Sequence, residues 1–501
     1  MQQQLGELRQ RLQEIYDLNT TIALLYWDQS TYMPPGGGPA RGRQVATLGR
    51  HAHRCATDPE LGRLLNALAP EVERDPDSDD AALVRVAVRN YERQARIPAD
   101  FIASMYEHTA NTYDLWAQAR PQDDFGKVAG ALEQTLDYSR RMADFFPGYA
   151  HIADPLIDVS DYGMRAADVR ALFSELRAQL VPMVQAVTAQ QPADDRCLRQ
   201  FFPEHQQIAF GEQVVRRFGY DFRRGRQDKT LHPFCTSFSI GDVRITTRVR
   251  EDDLSDALFG TLHEAGHGMY EQGINPAFEG TPLATGTSAG VHESQSRLWE
   301  NLVGRSLPFW EHFYPQLQRV FPEQLGRVTL DEFYRAVNKV QRSLIRVEAD
   351  ELTYNLHVII RFDLELDMLE GRLPVRDLPD AWRERYLSDI GIEAPDDRDG
   401  VMQDIHWYGG LIGGAFQGYT IGNVMSAQFF DAALQAHPEI PQQIGGGEFG
   451  VLHTWLREHI YQYGSKYTAD ELVRRVTGGP LSIEPYIAYL RRKYGALYKL
   501  A

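Results

Sequence analysis

A chain of 501 residues can hold one large or two medium domains, and its 52 Lys+Arg against 69 Asp+Glu leave a net charge of −17 with His neutral. This balance argues against nucleic acid or an anionic membrane as the main partner, since both attract a basic surface. Three widely spaced cysteines, Cys55, Cys197 and Cys235, imply no disulfide framework and suit a reducing cytoplasm, where a buried thiol is the plainest role for each.

Helical periodicity dominates from the N-terminus. Leu5, Leu8, Leu12 and Ile15 carry an amphipathic helix that continues through Ile22, Leu24 and Leu25 toward Trp27, and Pro34-Pro35-Gly36-Gly37-Gly38 breaks it. The first seven residues lack the basic-then-apolar order of a secretory signal. Helical patterns then run to about residue 220; the charged stretch 75–80 reads as a surface connection, not a domain boundary, so a single domain over 1–501 is expected. Residues 236–249 are the exception. Phe238, Ile240, Val243, Ile245 and Val249 alternate with polar residues around Gly241-Asp242, which predicts a β-hairpin with Asp242, Arg244, Thr246 and Arg248 on one face. Such a strand either caps a helical core or pairs along its edge with an extended peptide.

The next helix carries the chemistry. Leu254, Leu258 and Leu262 recur every four residues, Asp252 or Asp253 offers an N-cap, and Gly273 with Asn275-Pro276 supplies a stop. Within it stands His263-Glu264-Ala265-Gly266-His267. Residues four apart share a helix face, so His263 and His267 can aim two imidazoles at one cation while Glu264 lies beside them as a base for an activated water. A catalytic zinc site needs a third protein ligand, and the following helical stretch, 290–301, offers His292, Glu293 and Glu300. Glu293 is preferred because the small Ser294 and Ser296 beside it allow two helices to approach closely. No Cys lies near the motif, which weighs against a closed structural zinc site in a non-catalytic binding protein.

From 331 to about 371 the pattern is apolar on more than one side, predicting one long buried helix on which Arg346, Asp350, His357 and Arg361 fall near a line. Buried charges require partners, so this stripe marks either a polar cleft or an internal ion-pair network, with an Arg346–Asp350 pair as its simplest form. No segment reaches the roughly 18 uninterrupted apolar residues of a membrane span. The nearest, 409–433, is interrupted by Gln417, Asn423 and Gln428, and its glycines point to a loop followed by a tightly packed helix.

Six segments in this order resemble the signature of the Taq-type metallocarboxypeptidases: His232-Pro233-Phe234, Asp242-Val243-Arg244-Ile245-Thr246, His263-Glu264-Ala265-Gly266-His267, His292-Glu293-Ser294-Gln295, Ile345-Arg346-Val347-Glu348-Ala349-Asp350, and Gly400-Val401-Met402-Gln403-Asp404-Ile405-His406-Trp407. The likeness runs from Tyr26-Trp27-Asp28-Gln29 to Leu497-Tyr498. It implies a mainly α-helical, zincin-like fold similar to neurolysin-like peptidases, with a deep groove between helical lobes and a small sheet beside the zinc helix, and a cytoplasmic homodimer. It also implies His263, His267 and Glu293 as metal ligands and Glu264 as general base. The chain departs from the family after Trp407, where Tyr408 to Tyr419 is one residue longer than usual and glycine-rich.

The expected reaction is release of C-terminal amino acids from peptides with a free C-terminus. Zinc, or another divalent ion such as Co²⁺, lowers the pKa of a water to about 7 and Glu264 takes its proton. His406 or Tyr419 then donates to the oxyanion. Arg346 or Arg244 offers two parallel hydrogen bonds to the substrate carboxylate, with His232 and Asp350 as further substrate-binding candidates. The alternative, a zinc oligoendopeptidase or dipeptidase, uses the same metal chemistry.

Overall fold

The helical spacing of apolar side chains is realised as a succession of helices, and the computed structural model describes residues 2–72 and 74–500. The first helix, Gln2–Thr31, buries Leu5, Leu8 and Leu12 near its start and Trp27 near its end. With Leu61, Leu65, Leu68, Leu83 and Val84 from the next helices it forms a small apolar cluster that also takes in Ile274, Phe278 and Leu283. A larger cluster gathers buried side chains from Phe101 to Tyr498. No helix among the described residues is long and apolar enough to cross a membrane.

The sheet has three strands: β1 (Gln227–Lys229), β2 (Cys235–Ser239) and β3 (Asp242–Thr247), with β3 in the centre. β2 runs antiparallel to β3, pairing Cys235 with Ile245 and Ser237 with Val243, and the register shifts between Ser237 and Ser239. β1 runs parallel to β3. Its sequence, Gln-Asp-Lys, carries no apolar alternation, so periodicity gave no sign of it. β3 ends at Thr247, short of Val249. Val243 and Ile245 are fully buried, whereas the Arg244 guanidinium turns the other way, 4.3 Å from the Trp27 ring and 5.0 Å from Phe238. The polar face of β3 is thus covered by the end of the first helix.

The single helix expected over 331–371 is broken. Leu330–Val337 forms one helix, Arg346–Glu348 a lone 3₁₀ turn, and Tyr354–Leu369 the second helix. Asp350 is one physical reason. Its carboxylate accepts from the backbone N–H of Gln341 (3.1 Å), Leu352 (3.0 Å) and Thr353 (3.1 Å), diverting amides that a continuous helix would use. The glycine-rich stretch is a loop from 410 to 416, followed by the buried helix Gln417–Ala436.

Three helices meet where the histidines lie. The histidine helix, Leu254–Gly273, is capped by Asp253, which accepts from Ser255 N–H. It is buried around nearly its whole circumference; beyond Asp256, only Gly260, His263, His267 and the terminal Gly273 escape full burial. The glutamate helix, Ala289–Arg297, starts at a Ser288 cap and continues as a π-helical turn, Leu298–Val303. The two helices touch through backbone: a Cβ on Gly266 would stand 2.6 Å from both the Gln295 carbonyl oxygen and Ser296 Cα. Gly422 on Gln417–Ala436 comes as close from the other side, its Cβ position 2.5 Å from Glu293 Cβ. Gly266→Ala is therefore expected to lower unfolding stability by about 1–3 kcal/mol through overpacking, read as a lower urea midpoint; an unchanged midpoint would show that these backbones do not touch.

Candidate metal centre and active site

His263 and His267, one turn apart, emerge on the only partly open strip of their helix. Glu293 lies opposite, placed there by the close contact at Gly266. Its Oε2 is 3.7 Å from His263 Nε2 and 3.5 Å from His267 Nε2, and one donor atom from each of the three residues lies within 4.8 Å of the others. The other oxygen, Oε1, accepts from Arg297 Nε at 2.7 Å. Arg297 thereby fixes which carboxylate oxygen faces the imidazoles.

The remaining ring nitrogens are also engaged. Glu300, on the π-helical turn, accepts from His263 Nδ1 at 3.0 Å and is itself held by Arg297 (3.1 Å) and Arg305 (3.3 Å). His267 Nδ1 lies 2.7 Å from His292 Nδ1, and His292 Nε2 lies 2.8 Å from Glu271 Oε1. Glu271 Oε1 accepts from Thr285 Oγ1 and Gly286 N–H as well. A carboxylate only accepts, so His292 carries its hydrogen on Nε2 and presents a bare Nδ1. His267 must then donate through Nδ1. In His263 and His267 the Nε2 atom is left toward Glu293, the tautomer a cation would require.

Burial sets the electrostatics. Loss of hydration raises Glu264 to about 7, with Glu293 and Glu300 adding to the effect and His263 opposing it. Burial lowers His267 to about 4, keeping it neutral. Burial lowers His263 too, but there Glu293 and Glu300 outweigh it and leave the ring above its ordinary value. Burial alone would raise Glu293 and Glu300, yet Arg297 foremost among their neighbours holds both well below the usual carboxylate range. Two imidazoles with free Nε2 lone pairs and one ionised carboxylate oxygen make a donor set that suits a borderline divalent cation.

A second cluster adjoins the first through Tyr354, whose ring lies 4.7 Å from the Arg297 guanidinium and 6.5 Å, edge-on, from the Tyr419 ring. Arg346, buried although it sits on a turn and not a helix, donates through Nε and Nη2 to Asp404 (2.9 and 2.7 Å) and through Nη1 to the Tyr354 hydroxyl (3.0 Å). His406 Nε2 lies 3.3 Å from the Tyr419 hydroxyl. Burial pushes that phenol up to about 12, so it keeps its proton at neutral pH. Asp404 also accepts from Arg361, whose guanidinium is filled by Gln403, Tyr386 and the His357 carbonyl. The stripe of charges is therefore an internal network centred on Asp404.

Other candidates fall elsewhere. Asp350 does not pair with Arg346; it holds the turn before Tyr354–Leu369 through the Leu352 and Thr353 amides and also accepts from Thr353 Oγ1 (2.9 Å). Arg244 is paired through Nε and Nη2 with its own neighbour Asp242. His232 is exposed on the loop before β2. Sequence reasoning overlooked Arg297, Glu271, Tyr354 and Asp404. Only Arg297 left a signal, standing four residues after Glu293 on the same helix face.

The carboxypeptidase Taq (M32) metallopeptidase profile matches residues 7–494. The chain belongs to the M32 carboxypeptidase family. It is accordingly a metal-dependent peptide hydrolase of the carboxypeptidase class. Among M32 relatives, thermostable carboxypeptidase 1 of Thermus thermophilus is 42% identical over 489 residues, 95% of each chain, and carboxypeptidase 1 of Bacillus subtilis is 34% identical over 98% of this chain and 97% of its own. The crystal structure of an M32 carboxypeptidase from Deinococcus radiodurans superposes with a TM-score of 0.97 at 51% identity, covering 99% of this chain and all of that one. Trypanosoma cruzi metallocarboxypeptidase 1 superposes at 0.93 with 30% identity, covering 99% of this chain and 100% of its own. In this M32 chain, replacing His292 or Glu300 with Ala is expected to weaken metal affinity by about 10–100-fold, measured by competition with a metal buffer; unchanged affinity in both would mean the ring tautomers are set by other groups.

Proposed function

We propose that this chain removes C-terminal residues from peptides using one zinc ion held by His263 Nε2, His267 Nε2 and Glu293 Oε2, with Glu264 as general base. The observation that carries the reading is the facing of a single carboxylate oxygen toward two imidazole nitrogens whose opposite ring edges are both engaged. A bound divalent cation supplies Lewis acidity, polarising the scissile carbonyl and making a water acidic near neutral pH. Glu264, buried beside His263 and raised to about 7, takes the proton of the attacking water and returns it to the leaving amine.

Tyr419 and His406 act together as the donor to the developing oxyanion, the phenol remaining protonated. Arg346 reads the α-carboxylate of the substrate. A guanidinium has five N–H groups; Asp404 and Tyr354 occupy three in Arg346, and two remain. Its burial and bidentate hold by Asp404 give those two a fixed direction, with Cζ of the guanidinium 5.3 Å from the centre of the Tyr419 ring. Arg244, under Trp27, is the less favoured partner. We further read the whole chain as one zincin-like unit with a groove between helical lobes, cytoplasmic and homodimeric.

Glu264→Gln is expected to retain one metal ion per chain while losing about 10²–10⁴-fold in turnover, measured by metal analysis alongside peptide hydrolysis. Undiminished turnover would remove Glu264 from the mechanism. A peptide ending in an amide should resist the enzyme; its cleavage at internal bonds would instead indicate an endopeptidase.

A further inference from the structure

Outside the peptidase centre, a second set of metal-ligating side chains converges on the hairpin formed by the first helix and the next, Gly38–Ala56. His51 and Cys55 stand four residues apart on one face of the second helix, and Glu14 reaches them from the first. Cys55 Sγ is 3.8 Å from Glu14 Oε1 and 3.8 Å from His51 Nδ1, and His51 Nε2 is 4.0 Å from Glu14 Oε1. A tetrahedral zinc ion with ordinary Zn–S, Zn–N and Zn–O bonds separates its ligands by roughly 3.3–3.6 Å. With one His51 nitrogen serving both neighbours, one donor atom from each of the three residues lies within 4.8 Å of the others, so the side chains need to close by about 1 Å around a cation.

We propose that Glu14, His51 and Cys55 form a second zinc site, distinct from the peptidase centre, that clamps the first two helices together. The donor types define the ion. A thiolate with an imidazole selects zinc or a similar late transition metal over magnesium or calcium, which favour oxygen ligands alone. Binding ionises the thiol and releases its proton to solvent, so a thiolate and a carboxylate neutralise the divalent charge. Arg54 donates to His51 Nδ1 at 2.9 Å, an exposed contact that an incoming cation displaces or leaves to the other ring nitrogen. Three protein ligands leave a fourth position for water on the half-exposed surface.

The clamp lies about four turns from Trp27, the residue that covers Arg244 at the far end of the same helix. Occupancy would stiffen that cover without entering the peptidase chemistry. The inference does not depend on the roles assigned to His263, His267 or Glu293.

Cobalt separates the two sites, because the peptidase centre has no sulfur among its donors and this one does. Full-length protein stripped of metal and titrated with Co²⁺ should bind two ions per chain. A near-ultraviolet thiolate-to-cobalt charge-transfer band should develop with one of them. The band should vanish in Cys55→Ser and fall at least several-fold in His51→Ala, with peptidase activity retained in both, and it should persist in His263→Ala. Circular dichroism establishes that each variant is folded, and Glu14→Gln provides an independent arm. A single ion per chain, a second ion without the band, or a band that survives Cys55→Ser would overturn the proposal.

Discussion

Backbone contact between the histidine and glutamate helices governs this protein. Gly266 removes the one side-chain atom that would hold the helices apart, and the Gln295–Ser296 backbone lies directly against it. The approach lets two carboxylates grip the same ring: Glu293 faces His263 Nε2 while Glu300 holds Nδ1. Gly422 presses the third helix against Glu293 from behind, so that carboxylate has little room to swing away. The His263–His267–Glu293 cluster is consequently a property of three packed helices, and packing transmits any change in their spacing directly to the donor atoms.

Charge in this region is unusually dense. Glu264, Glu271, Glu293 and Glu300 are all buried, while Arg297 and Arg305 supply two guanidiniums beside the last two. Buried carboxylates persist only with compensation. The two guanidiniums offset Glu293 and Glu300, while burial raises Glu264 to about 7 and Glu271 is held by the hydrogen bonds it accepts. The second arginine-rich cluster follows the same pattern on a smaller scale: Asp404 serves Arg346 and Arg361 at once, and although burial pushes its pKa up, those neighbours hold it far below its ordinary value.

The sequence disclosed the parts governed by local periodicity. The histidine helix, with Asp252 or Asp253 as its cap, follows from spacing alone, and the structure places it at Leu254–Gly273 with Asp253 as the cap; apolar burial alternates at the start of β3 but not along β2, where every residue is half-buried. Spacing left His292, Glu293 and Glu300 as rivals for one position. The structure gives each a different partner, because the approach of a neighbouring helix, invisible in one dimension, assigns them to different ring edges. The long helix over 331–371 was misread for a related reason: apolar residues on several sides show burial, but Asp350 and its amide donors break the rod. β1 joins the sheet only through backbone pairing to β3, and such pairing leaves no trace in a tripeptide.

The chain of hydrogen bonds behind His267 has a sense of direction. Glu271 can accept but not give, and that one-sidedness orders the protons from Glu271 through His292 to the His267 ring. An amide of the same shape has no such bias. Turned about, it would hand a hydrogen to His292, which would hand one to His267, and the nitrogen aimed at Glu293 would arrive already capped. Almost nothing would move, yet the ring would no longer have a lone pair to offer.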